Sequence, residues 1–235
     1  MQKEQNSHSV YPELSRLMET GEPVCVTFKT EYEIEKDVEE KAKEKAADSR
    51  NEKLPGKSGF LFCELVQKAR MGEVFRVSGQ SCFPGDYVLG LSEEIPAAYY
   101  LNSGRYRDSQ AAEKAALSLP RLEKRFCSIN VEPLSLNKGD FDVLILFLEP
   151  EKAMRIVQAN AYSEGKKAVL DTMGAASICG DCTVLALRQG IGLSFGCKGS
   201  RKHSAYEDFE VPLGLSFEKA AEIEEGLSKL PKTRE

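Results

Sequence analysis

The residues from Ser177 to Arg201 hold three cysteines, Cys179, Cys182 and Cys197, and five glycines within 25 positions. Cys179-Gly-Asp-Cys182 reads as a turn leading into a helix that runs through Arg188. Helix N-terminal N–H groups stabilise a thiolate and lower its pKa, so Cys-x-x-Cys at such a place suits dithiol–disulfide chemistry and metal chelation. A tetrahedral zinc site normally takes a second ligand pair. The sequence has no second Cys-x-x-Cys and no His-x-x-x-His, and its only histidines are His8 and His203. A distributed metal site drawn from Cys63, Cys82, Cys179, Cys182 and Cys197 remains open. Three or four thiolates in one place favour an iron–sulfur cluster or zinc, because soft ligands select those centres. The plainer alternative is a pair of unligated cysteines in a tight turn.

The second chemical feature is Gly196-Cys-Lys-Gly-Ser-Arg201. Glycines let a backbone approach a ligand closely, and successive N–H groups can cradle an anion. Gly196, Lys198, Gly199 and Arg201 are therefore candidate ligand-binding residues, with Arg201 able to grip a carboxylate or phosphate in a bidentate way. The plainer reading is a basic turn. Asp86 and Asp181 read as helix caps rather than acids or bases, and His203 as a solvated side chain. A thioredoxin-like arrangement needs a strand directly before Cys-x-x-Cys, but Met173-Gly-Ala-Ala-Ser stands there instead.

Seven cysteines, an odd number, in a chain expected to be cytoplasmic argue against a disulfide framework. Cys25 and Cys127 read as inert strand or core thiols. A formal charge of −5 with no long basic block does not suggest a nucleic-acid partner. No apolar run approaches the ~20 residues that span a bilayer, and the first residues lack a signal-peptide core. The expected partners are a small molecule or a redox protein. Oligomeric state is not readable.

The elements positioning these residues follow from pattern. Helices are expected at 10–19, 59–71, 87–91, 109–117, 151–162 and 217–227, the last capped by Ser216. Strands are expected at 24–28, 74–77, 126–131, 141–148, 169–172, 190–195 and 210–215. The charge-dense stretch 31–51 reads as an exposed excursion with a possible helix from Glu35 to Ala47. The fold class is α/β (α+β), a mixed sheet with helices, in one domain over 1–235. Gly85-Asp86-Tyr-Val-Leu-Gly-Leu resembles Gly180-Asp181-Cys-Thr-Val-Leu-Ala-Leu, and each follows a strand and a helix. Two pseudo-symmetric α/β halves, 10–105 and 121–228, are therefore a further expectation, with Cys82 and the Cys179/Cys182 pair meeting between them.

Cys63-Glu-Leu-Val-Gln-Lys-Ala-Arg-Met-Gly, Cys82-Phe-Pro-Gly-Asp-Tyr-Val-Leu-Gly-Leu and Gly196-Cys-Lys-Gly-Ser-Arg together resemble the domain-of-unknown-function 169 proteins of archaea and anaerobic bacteria. The resemblance runs from about Leu14 to Leu227. It implies a single-domain cytoplasmic protein with recurrent cysteines and no particular activity. Phe-Pro after Cys82 departs from the proline-glycine-rich turn the resemblance leads one to expect.

Three functions are then expected in turn. A thiolate-bound metal or iron–sulfur protein requires the sulfurs of Cys63, Cys82, Cys179 and Cys197 to converge. A thiol–disulfide protein requires Cys179 and Cys182 as one exposed pair. A non-catalytic anion-binding module requires Arg201 to face into a pocket. Whether the chain is an enzyme is left open.

Overall fold

The computed structural model describes residues 11–30, 32–33, 59–123, 126–163 and 165–231. Six strands form one sheet: β1 (Val24–Lys29), β2 (Phe75–Val77), β3 (Ser128–Pro133), β4 (Val143–Leu148), β5 (Ile191–Leu193) and β6 (Val211–Ser216). Their spatial order is β2-β3-β1-β4-β6-β5. Every pairing is antiparallel, so the sheet is not mixed and the fold is α+β.

The centre of the sheet is where the sequence is most apolar. Val-Leu-Ile-Leu-Phe-Leu of β4 is buried at all positions, as a strand covered on both faces must be. Helices α6 (Pro150–Tyr162) and α9 (Phe217–Lys229) pack on each other and on β4 and β6. They come close because Gly226 has no Cβ, which would lie 2.9 Å from the Ala159 carbonyl oxygen. Pro150 opens α6, and the Ser216 hydroxyl caps α9 by accepting from Lys219 N.

The shorter helices are α1 (Pro12–Arg16), α2 (Phe62–Arg70), α3 (Phe83–Val88), α4 (Ala97–Asn102), α5 (Ser109–Leu117), α7 (Ala186–Gln189) and α8 (Lys198–His203). A π-helix (Ser177–Leu185) runs into α7. Asp108 caps α5 through Ala111 N.

The strand order reads the same from either edge if β1, β2 and β3 are exchanged for β4, β5 and β6. The β1–β3 ladder joins the first residue of β1, Val24, to the last of β3, Pro133. The β4–β6 ladder joins the first residue of β4, Val143, to the last of β6, Ser216. β1 and β4 meet along the middle, with Cys25 opposite Leu144.

Three local expectations change. Residues 169–172 form no strand. That segment is tied by side chains instead, Gln189 donating to the Val169 carbonyl and the Thr172 hydroxyl to Asp181. The helix expected at 87–91 starts at Phe83, because Pro84 in the first turn loses no needed N–H and has its φ preset. Cys127 lies just before β3 and is exposed, whereas Cys25 inside β1 is buried. The charged stretch 31–51 lies outside the described residues except for 32–33.

Candidate functional site: a four-thiol pocket

The π-helix is the element that places Cys179. It starts after Ala176, whose φ of 50° is left-handed. The Ala176 carbonyl accepts from both Gly180 N and Asp181 N. The wide turns press the backbone of this helix directly onto the sheet at Gly192 and Gly214, which are paired across β5 and β6. A Cβ on Gly192 would lie 1.9 Å from the Asp181 carbonyl oxygen, and one on Gly214 would lie 1.7 Å from that of Cys182. π-turns of this kind gather at functional sites.

Cys-x-x-Cys is therefore inside a helix, not ahead of one. Cys179 and Cys182 are both buried, and burial pushes both thiols well above their ordinary pKa, the reverse of the N-terminal effect expected from sequence. Nor is Asp181 a cap. It is 2% exposed and accepts from the hydroxyls of Thr172 and Ser194, each at 2.6 Å. Burial raises its pKa to about 6, the two hydroxyls hold it back, and Asp171 adds to the rise. A folded-state pKa above the ordinary 3.8 means that ionisation opposes folding. The cost is absent below about pH 4 and grows until about pH 6, reaching about 3 kcal/mol. Asp181→Asn is expected to remove this loss of stability between pH 4 and 6 and to melt higher than the wild type at pH 7. Parallel melting-temperature profiles for the two proteins would contradict it. Asp86 is not a cap either: it sits within α3 and accepts from Gln80 N at 3.1 Å.

Four thiols line one small, partly open pocket with a cavity volume of about 50 Å³. Cys63 is in the first turn of α2, Cys82 is the N-cap of α3, Cys179 is in the π-helix and Cys197 is the N-cap of α8. Cys197 does the work usually given to serine or aspartate: its Sγ accepts from Ser200 N at 3.3 Å, while the Ser200 hydroxyl accepts from Cys197 N at 2.9 Å. The thiols also act on one another. Burial pushes Cys63 up to about 11, the Ser204 hydroxyl eases it back, and the nearness of Cys197 and Cys82 raises it further. Cys82 is raised by burial and by Cys197, and Cys179 by burial and then by Cys82, Cys197 and Cys63. Like charges so close favour the protonated thiols until a cation offsets them. Among the described residues, no group of three or more Cys, His, Asp or Glu side chains is placed to hold a metal ion as it stands.

Cys182 does not line the pocket. It is fully buried, and the Ser194 N–H lies beside its sulfur. The glycine-rich loop is also arranged differently from the anion cradle expected. All five guanidinium N–H groups of Arg201 go to backbone carbonyls, of Phe195 twice and of Glu207, Asp208 and Glu210 once each. None is left for an anion. Gly196, at φ 89°, makes room for Tyr206 and Arg201: its Cβ would lie 2.2 Å from the Tyr206 oxygen and 2.8 Å from Arg201 Nε. Lys198 is exposed and Gly199 lines the pocket, the only one of that candidate set among its lining residues. His203 is exposed.

Sequence reasoning missed Gln80, Tyr99, Tyr100, Arg105 and Ser177, which also line the pocket. None carries a motif, and α4, which brings in Tyr99 and Tyr100, reads only as a helix end.

The positions of the cysteines repeat across the two halves of the sheet. Cys63 precedes the start of β2 by the same number of residues as Cys179 precedes the start of β5. Cys82 and Cys197 each follow that strand and cap the next short helix. Helix thiol, strand and cap thiol thus occur in the same order twice. A profile of the domain-of-unknown-function 169 family, described as an uncharacterised ArCR, matches residues 15–226. The chain belongs to this family. A protein of Methanocaldococcus jannaschii, described as uncharacterised, is 29% identical over 176 residues, which cover 70% of this chain and 75% of the relative. No solved structure matches. Among the described residues of this family member, no helix is long and apolar enough to cross a membrane.

Proposed function

We propose that Cys63, Cys82, Cys179 and Cys197 ligate a metal–thiolate centre, an iron–sulfur cluster in preference to zinc. The observation that carries this reading is that four of the seven cysteines, two from each half of the sheet, open onto one pocket. A donor set of four thiols with no histidine or carboxylate suits soft centres. The chemistry such a cluster supplies is one-electron transfer. The chain's own residues hold it in a mostly apolar cavity, where burial keeps water away and Ser204 adds a hydroxyl beside Cys63. The reading implies a redox partner or a small redox substrate. The repeated order of helix thiol, strand and cap thiol supports descent of the two halves from one α+β unit, each contributing one pair of ligands.

Anaerobic purification followed by absorption spectroscopy and iron and acid-labile sulfide analysis tests the proposal. A brown protein with iron and sulfide near cluster stoichiometry is expected. A colourless protein that takes up neither iron nor zinc after anaerobic reconstitution would overturn it. Colourless protein with one zinc per chain would keep the ligands and change the centre.

A further inference from the structure

The lining of the pocket also carries donors that no protein group uses among the described residues. The Tyr100 hydroxyl, the Ser177 hydroxyl and the Gln80 amide nitrogen are buried and have no hydrogen-bond partner among the described residues. All three residues line the pocket. Tyr100 is 1% exposed and Ser177 0%. The Gln80 amide is held in place, not adrift: its Oε1 accepts from Phe62 N at 2.9 Å, and its Nε2 occupies the space left by the missing side chain of Gly85, whose Cβ would lie 2.6 Å away. The Tyr100 ring is fixed edge-on between Tyr99 and Tyr106, at centroid distances of 5.6 and 5.5 Å.

The exposed Arg105 also lines this pocket, its guanidinium 5.9 Å from the ring centroids of both Tyr99 and Tyr100. It makes no ion pair or side-chain hydrogen bond among the described residues. Arg107 nearby is paired to Asp108, and Arg201 is spent on backbone carbonyls. Buried donors without partners carry a desolvation cost that an acceptor-rich occupant removes. Phe62 and Ile178 give the same pocket apolar wall.

We propose that this pocket, when its thiols hold no metal, binds a small organic carboxylate. Arg105 takes the charge at the mouth, Tyr100, Gln80 and Ser177 donate to its oxygens, and its short aliphatic body lies against Phe62 and Ile178. The titration reads the metal-free chain and the cluster test reads the loaded chain, so its failure and the failure of the cluster reading are separate results.

The test is isothermal titration of the reduced, metal-free full chain with butyrate, acetate and inorganic phosphate. Butyrate is expected to saturate one site and to bind more tightly than acetate or phosphate. Arg105→Ala is expected to weaken butyrate more than about tenfold, and Tyr100→Phe about fivefold to tenfold, with unchanged circular dichroism. Tyr100→Phe removes an unpartnered hydroxyl, so its melting temperature without ligand is expected to equal or exceed that of the wild type. Arg107→Ala, which alters a paired arginine outside the pocket, is expected to bind as the wild type does. No saturable butyrate binding, phosphate binding as tight as butyrate, or equal losses in Arg105→Ala and Arg107→Ala would each overturn the proposal.

Discussion

Serine in place of any one of Cys63, Cys82, Cys179 or Cys197 is expected to abolish stoichiometric metal loading, while Cys25→Ala, Cys127→Ser and Cys182→Ala keep it. The first four thiols share the pocket. Cys25 is buried within β1, Cys127 is exposed before β3, and Cys182 is buried beside the Ser194 N–H just after β5. Loss of a direct ligand should cost at least about a hundredfold in affinity, since even groups that only orient a ligand are worth about ten- to a hundredfold. Iron, sulfide and zinc content of the seven variants after identical reconstitution is the readout. The pairing matters as well. If each half of the sheet supplies one helix thiol and one cap thiol, Cys63→Ser and Cys179→Ser should be equally damaging. A Cys182→Ala variant that loses its metal with its fold intact would move the site to the Cys-x-x-Cys pair.

The second large effect concerns the platform under Cys179. Gly192→Ala and Gly214→Ala each put a methyl group within 2 Å of a π-helix carbonyl oxygen, at 1.9 and 1.7 Å. The clash is with backbone, so no side-chain rotation relieves it. Either the π-helix lifts off the sheet or β5 and β6 part. Overpacking of this kind costs about 3 kcal/mol or more. For a chain of this size that lowers the melting temperature by roughly 10 °C. Gly139→Ala is the matched control: nothing lies within 4 Å of the added Cβ, so a change within about 0.5 kcal/mol is expected. Thermal melts of the three variants check this. A Gly214→Ala protein as stable as Gly139→Ala would mean that the π-helix does not rest on the sheet as described.

The strands and helices that carry strong local signals were legible in the sequence. The apolar run 143–148, the Pro150 helix start, the Ser216 cap and the alanine-rich helix 109–117 all depend on neighbours in the chain, and all are present. What was not legible depends on distant partners. The Gly-Asp likeness joins Gly85-Asp86, in the helix after Cys82, to Gly180-Asp181, in the π-helix beside Cys179, which are unlike places in the sheet. Spacing relative to β2 and β5 pairs Cys63 with Cys179 and Cys82 with Cys197 instead, and that correspondence shows only once the strand order is known. The glycine signal at Gly196 misled in the same way: it serves Tyr206 and Arg201 and marks no ligand. Arg201 reads in sequence as a free cation beside a glycine turn, but four carbonyls claim it through five hydrogen bonds. Among the described residues, the cation at the pocket without an ion pair is Arg105, which no motif flags.

X-ray absorption at the metal edge of the anaerobically loaded protein tests the central claim most directly. The four-thiol reading predicts a first shell of sulfur alone, at about 2.3 Å, lost in the Cys179→Ser and Cys197→Ser variants alike. A shell containing nitrogen or oxygen ligands, or one unchanged when Cys63, Cys82, Cys179 and Cys197 are all replaced, would contradict it.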